Sequence, residues 1–184
     1  MQHYDNIDRT ASLKRIVPDL YDYKTVLYVG ARPDRHDYLE DFHKANYKID
    51  VIEIWHPNVK WLRALPWINR VYHINFKKFF AEYYLYYSHL KYDIIFLWHV
   101  IEHIYMPEIE YIFTKRLFEQ VAKKIIVIGC PWGVYHQGEM GGNPDEAHVS
   151  HLDYQIFEKY GYQVECLGKQ NYIGSNITAI KKIK

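Results

Sequence analysis

Residues 91–104 read KYDIIFLWHVIEHI, and this stretch decides the fold. Ile94, Ile95, Phe96, Leu97 and Trp98 run without a polar interruption, which reads as a buried strand. Downstream, Pro107 opens a helix whose buried face carries Ile109, Ile112, Phe113, Leu117 and Val121. A strand over 125–128 follows and is stopped by Gly129-Cys130-Pro131. Upstream, the period over 76–90 puts Phe76, Phe79, Phe80, Tyr83, Tyr87 and Leu90 on one helical face, a packing face.

The same alternation extends to both ends. Before residue 76 come a weak strand (71–75), a helix over 58–65 begun at Pro57, and a strand over 49–55 (IDVIEIW). A helix over 36–46 precedes these, after a first strand at 26–29 set between Lys24 and Gly30. At the far end a helix over 152–160, closed by Gly161, leads into strands at about 162–168 and 172–181. The short turn Lys169-Gln170-Asn171 requires those two to be antiparallel. The order predicts an α/β fold: a Rossmann-like, doubly wound, mostly parallel seven-stranded sheet ending in an antiparallel hairpin, with helices on both faces. One domain over 1–184 is expected, with 1–23 as an N-terminal helix or lid segment and the Gly-rich 131–150 as an active-site loop.

Composition narrows the class. The chain has 184 residues, 49% of them hydrophobic, yet a mean hydropathy of −0.36, because 19 tyrosines carry hydroxyls. Lys+Arg (23) and Asp+Glu (22) balance to +1, so no global field argues for nucleic acid, although a local basic patch is compatible with it. Cys130 and Cys166 are too few for a disulfide framework and read as free thiols. No signal-like segment opens the sequence and no apolar run reaches the ~20 residues of a membrane span. A soluble cytoplasmic protein without a membrane partner is the expectation.

Ligands in such sheets bind beyond the carboxyl ends of the central strands. Four stretches lie there. Gly30 and Ala31 follow the first strand, where a glycine lets the backbone approach a ligand, although Arg32, Pro33 and Asp34 stand where a phosphate cradle wants glycines. Glu53, with Ile54 and Trp55, ends the second strand; the acid suits ribose hydroxyls or an edge ion pair, and Trp55 suits an adenine face or the core rim. Asn75 suits an adenine edge or the cap of the following helix. If the chain turns helical after Trp98, then His99, Glu102 and His103 share one face, a composition fit for a divalent metal or for a hydrogen-bonded network. The 131–150 loop adds His136 and His148, with His151 just past it.

These segments together resemble the class I S-adenosylmethionine-dependent methyltransferases over about residues 24–182. KTVLYVGARPDR resembles the family's first motif, IDVIEIW its ribose acid, and KYDIIFLWHVIEHI its F-D-x-I-x-x-x-x-V-L-E-H segment. GGNPDEAHVSHLDYQIFEKYGYQV is similar to a G-N-P-x-E-x-H-x-S-x-W segment of bacterial members. The departures are Tyr28 for the first motif's acid, Arg32 and Asp34 for its later glycines, and Asn75 for the acid ending the third strand.

The resemblance implies S-adenosylmethionine as cofactor, held by Gly30, Ala31, Glu53, Ile54, Trp55, Asn75 and His99. A finer resemblance is to metal-dependent O-methyltransferases, namely the small-RNA 2′-O-methyltransferases and the ubiquinone-pathway enzymes. It implies a metal site at His99, Glu102, His103 and His148, where a histidine in the first place favours zinc, manganese or iron over magnesium. Methyl transfer to a hydroxyl of a small or nucleotide-like acceptor is the implied reaction, with RNA not indicated by the net charge. His103 and His148 are the implied catalytic groups, as general bases if no metal is held. A catalytically silent binding or scaffolding subunit is the alternative, and a nicotinamide-dependent oxidoreductase is disfavoured by the absent G-x-G-x-x-G.

Overall fold

The computed structural model describes residues 9–33 and 37–184. Seven strands form one sheet: β1 (Thr25–Val29), β2 (Lys48–Glu53), β3 (Ile68–His73), β4 (Tyr92–Trp98), β5 (Ala122–Pro131), β6 (Gln163–Leu167) and β7 (Asn176–Lys182). Their order is β3-β2-β1-β4-β5-β7-β6. β1 to β5 pair in parallel, while β7 lies antiparallel to both β5 and β6. The expected doubly wound sheet with a terminal antiparallel pair is therefore present.

Period-two alternation divides the strands between two cores. Leu27, Val29, Ile95, Leu97, Ile126 and Ile128 face one layer, built by α4 (Phe76–Ala81), α5 (Met106–Thr114), α6 (Leu117–Val121) and α7 (Tyr154–Lys159). Val26, Tyr28, Ile94, Phe96, Ile125 and Val127 face the other, built by α1 (Arg9–Ile16), α2 (Asp37–Lys44) and α3 (His56–Arg63). Burying a phenylalanine stabilises by about 1.5–3 kcal/mol, and Phe42, Phe79, Phe80, Phe96, Phe118 and Phe157 are all fully buried. Cys130 is buried, Cys166 half-buried, and both are free thiols.

Four local readings are corrected. The helix expected from Pro107 to 121 is two helices, because Arg116 adopts a left-handed φ of 53° between α5 and α6. The 76–90 helix is α4 followed by a π-helical turn over Tyr83–Tyr87, which still buries Phe79, Phe80 and Tyr83. The connection between β6 and β7 runs from 168 to 175 in place of a three-residue turn. It is longer because it folds back on the end of β5, where Asn171 Oδ1 accepts from Val134 N (2.6 Å) and Asn171 N donates to Trp132 O. Finally, of the helix or lid expected over 1–23, the described part keeps the helix, as α1, set in the core away from the cavity. Leu13, Val17 and Leu20 are buried in the core, and α1 packs against β6 and β7; residues 1–8 lie outside the described ones. No helix among the described residues is long and apolar enough to cross a membrane.

Candidate active site

The strand order reverses direction between β1 and β4, and ligands enter such sheets at that point, beyond the carboxyl ends. A cavity of about 1060 Å³ opens there, lined by the ends of β1, β2 and β4, the start of α4, and the 131–150 loop. Gly30 has a φ of +68°, and a Cβ on it would meet Val100 Cγ2 at 2.8 Å. Only glycine lets the chain turn at this position without displacing Val100.

Glu53 organises the wall beside it. Its Oε2 accepts from Ala31 N (3.0 Å) and its Oε1 from Trp55 N (2.7 Å). Burial pushes its carboxyl above the ordinary range, opposed by the hydrogen bonds from Trp55, Ala31, Ile54 and Asn58. An acid in an apolar strand is tolerated because these donors satisfy it. Gly30, Ala31, Glu53, Ile54, Asn75 and His99 all line the cavity. Trp55 does not; it stands just before α3 and meets Glu53 through its backbone. Asn75 lies beyond β3 and not at its end. Its Oδ1 caps α4 by accepting from Lys77 N (2.8 Å), while the residue still borders the cavity.

The opposite wall carries the ionisable cluster. His99 adopts a left-handed φ of 55° and donates its backbone N–H to Gly129 O. The turn that follows, Ile101–His103, is 3₁₀ and begins after His99. His99 is therefore not on a common helical face with Glu102 and His103, which corrects that expectation. Its Nδ1 lies 3.1 Å from Glu102 Oε1, so it braces the carboxylate. Glu102, His103 and His148 offer ligand atoms within 4.8 Å of one another, looser than the ~3.4 Å between tetrahedral donors ~2.1 Å from an ion, so small side-chain shifts would close the set on a metal. His99 stands outside that triad.

Two backbone carbonyls orient the triad. His103 Nδ1 lies 3.1 Å from Ala147 O, and His148 Nδ1 lies 2.8 Å from Tyr135 O. A carbonyl only accepts, so each Nδ1 carries a proton, and each ring when neutral keeps its lone pair on Nε2. His148 Nε2 lies 3.9 Å from Glu102 Oε1, and Glu102 Oε2 is buried without a hydrogen-bond partner. Burial pushes the His148 pKa below the usual histidine value, against the pull of Glu102. Burial pushes Glu102 up, but the His99 hydrogen bond and the charges of His99 and His103 bring it below the usual range. The two imidazoles, each fixed through its far nitrogen and facing the Glu102 carboxylate, form the donor set of a divalent cation when they are neutral.

The 131–150 loop is tied down on this side. Val149 N and Ser150 N both donate to Glu102 O, and His148 N donates to Gln137 O. Arg32 Nη1 meets Glu146 Oε2 at 2.6 Å, joining the loop after β1 to the 131–150 loop. Sequence reading missed this pair because its members stand 114 positions apart. It also missed the carbonyls of Tyr135 and Ala147, which no side-chain pattern announces. His136 and His151 do not line the cavity; their rings pack 5.0 Å apart on the surface.

No family model matches the sequence. No curated protein matches it either. Solved structures do. N-methyltransferase NodS from Bradyrhizobium japonicum, in complex with S-adenosyl-L-homocysteine, aligns with a TM-score of 0.65 at 10% identity, over 97% of this chain and 88% of that one. The methyltransferase domain of bacterial CtHen1 aligns at 0.61 with 18% identity, over 95% and 97%. A SAM-dependent methyltransferase from Archaeoglobus fulgidus aligns at 0.61 with 14% identity, over 94% and 91%. The chain has the class I methyltransferase fold. In this methyltransferase fold the first-motif glycine is kept, as Gly30, while Tyr28 is buried in the core and Arg32 is used in an ion pair. Asp34 lies outside the described residues.

Proposed function

We propose that this chain is an S-adenosylmethionine-dependent methyltransferase that methylates a hydroxyl oxygen of a small or nucleotide-like acceptor, assisted by a divalent metal. The observation that carries the metal is the triad of Glu102, His103 and His148, with both imidazoles locked by carbonyls and a buried carboxylate oxygen left without a partner. Zinc, manganese or iron suits two imidazoles and one carboxylate. When bound, such an ion lowers the pKa of a hydroxyl that it holds. S-adenosylmethionine supplies an already electrophilic methyl group, so the protein's work is positioning and the exclusion of water.

Each wall of the cavity has a part in that work. Gly30 and Ala31 bring the backbone to the cofactor, and Glu53 keeps lone pairs for ribose hydroxyls beyond those given to Ala31 and Trp55. Ile54 and Asn75 border the space for the base. On the other wall His99 holds Glu102 in place, and the 131–150 loop covers the acceptor. With no metal held, His148, kept neutral by burial, is the candidate proton acceptor.

Calorimetry with S-adenosylhomocysteine tests the cofactor, and elemental analysis of chelator-free protein tests the metal, expected at about one ion per chain. Absence of binding by both S-adenosylmethionine and S-adenosylhomocysteine would favour the second reading, a binding subunit without catalysis. Arg32 at a first-motif glycine position supports that alternative. A screen for released S-adenosylhomocysteine across alcohols, phenols, amines and RNA identifies the acceptor; transfer only to amines would sink O-methylation.

A further inference from the structure

The balanced charge of the sequence hides an uneven distribution. Register places Lys48 beside Thr25, Tyr92 beside Ala122, and Ile125 beside Lys182. Lys24, Lys48, Lys91, Lys123, Lys124 and Lys182 therefore stand along one edge, the amino end of the parallel strands, opposite the cavity. All six are exposed. They cover the five adjacent strands β2, β1, β4, β5 and β7, a row about 19 Å long at ~4.8 Å per strand. Asp19, Asp22 and Asp93 are the acids on the strand starts and the turn before β1. Asp93 pairs with Lys123, and Asp19 accepts from Tyr23. Among the described residues, Lys24, Lys48, Lys124 and Lys182 have no carboxylate within ion-pair distance.

A second feature stands at the same edge. The π-helical turn after α4 leads into β4, so it lies at the amino end, and Lys91 Nζ sits 5.5 Å from the Tyr83 ring. Tyr84, Leu85 and Tyr86 project from it, exposed by 69%, 76% and 63%. Three consecutive exposed apolar or amphipathic side chains beside a lysine row match a lipid interface, where tyrosine sits at headgroup depth and leucine enters the acyl boundary. Lysines carried as separate point charges suit a diffuse negative surface. Leu85 offers nothing to a nucleic-acid base, which would be gripped by stacking and guanidinium forks.

We infer that the amino end of the sheet docks on an anionic lipid surface, with Tyr84, Leu85 and Tyr86 entering the interface and the cavity facing away. This inference is independent of the proposed chemistry. Co-sedimentation with phosphatidylcholine vesicles, with and without roughly one-third phosphatidylserine, tests it. Expected is binding to the anionic vesicles only, lowered ~600-fold in a Lys24→Gln/Lys48→Gln/Lys124→Gln/Lys182→Gln variant, at about fivefold per lysine. Leu85→Ser should weaken binding with its salt dependence retained. An unchanged thermal melt shows that the variants are folded, as exposed substitutions allow. No binding by the wild type, equal binding to neutral vesicles, or an unaffected quadruple variant overturns the inference. Binding of an oligoribonucleotide in place of vesicles, lost in the quadruple variant, overturns it in favour of nucleic acid.

Discussion

Glu53 and Asp93 are carboxylates at opposite ends of one sheet, and they are held in opposite ways. Asp93, at the start of β4, accepts from Lys24 N, Thr25 N and Thr25 Oγ1 and pairs with Lys123 at 3.1 Å. Burial pushes its carboxyl up, but Lys123, Thr25 and Lys24 hold it below the ordinary range. Glu53, at the end of β2, is raised by burial against its backbone donors. The first fastens the ends of two strands together. The second is held by backbone donors at the wall of the cavity. Asp93 at the amino end ties two strand starts together, whereas Glu53 at the carboxyl end carries a burial cost beside the cavity.

The sharpest way to break that contrast is to remove a triad member. His103→Ala or His148→Ala should lower metal affinity by more than ~100-fold, since even outer partners of metal ligands cost 10–100-fold. Elemental analysis reads it, and retained stoichiometry would reduce the triad to a hydrogen-bonded network. Next, Asp93→Ala should cost about 1–3 kcal/mol of stability by leaving the Lys24 and Thr25 donors without their acceptor. S-adenosylhomocysteine affinity should not follow; if it falls in parallel, the two ends are not separable. Gly30→Ala should cost about 1–2 kcal/mol and weaken the cofactor, because φ is +68° and Val100 is in the way. Adding Val100→Ala should recover only the clash.

The smallest effect is on pH dependence. Asp93 is lowered in the folded state, so its contribution is complete above the unfolded carboxylate pKa and is lost as pH falls through the folded value. Glu53 is raised, so the folded state holds its proton longer, and stability declines as pH rises from the unfolded value through the folded one. Denaturation from about pH 2 to 7 should therefore show slopes of opposite sign removed by Asp93→Asn and by Glu53→Gln, each under ~1.4 kcal/mol per unit. Equal slopes in both variants would show that the ends do not differ.

Much of the sheet was legible because apolar alternation is a local signal. The run Ile94–Trp98, the glycine after β1 and the acid ending β2 each name their strand and its carboxyl end without any partner in view. The limits of that legibility are also local. Arg116 splits a helix that the apolar period carries through, and the 168–175 connection is long because it must reach Val134, a contact no spacing shows. His99 was read onto a helical face, but its left-handed φ places it outside the triad as the brace of Glu102.

By itself the sequence determined the fold class, the end of the sheet where the cavity opens, and the two segments that supply the histidines around it. Tertiary structure alone decided which of those histidines converge, that backbone carbonyls set their tautomers, and that a row of lysines, scattered in sequence, lines one edge. The reason is physical. Strand and helix follow from side-chain periods within a few residues. Convergence of Glu102 with His148, or of Lys48 with Lys182, depends on strand register and loop closure across the whole chain.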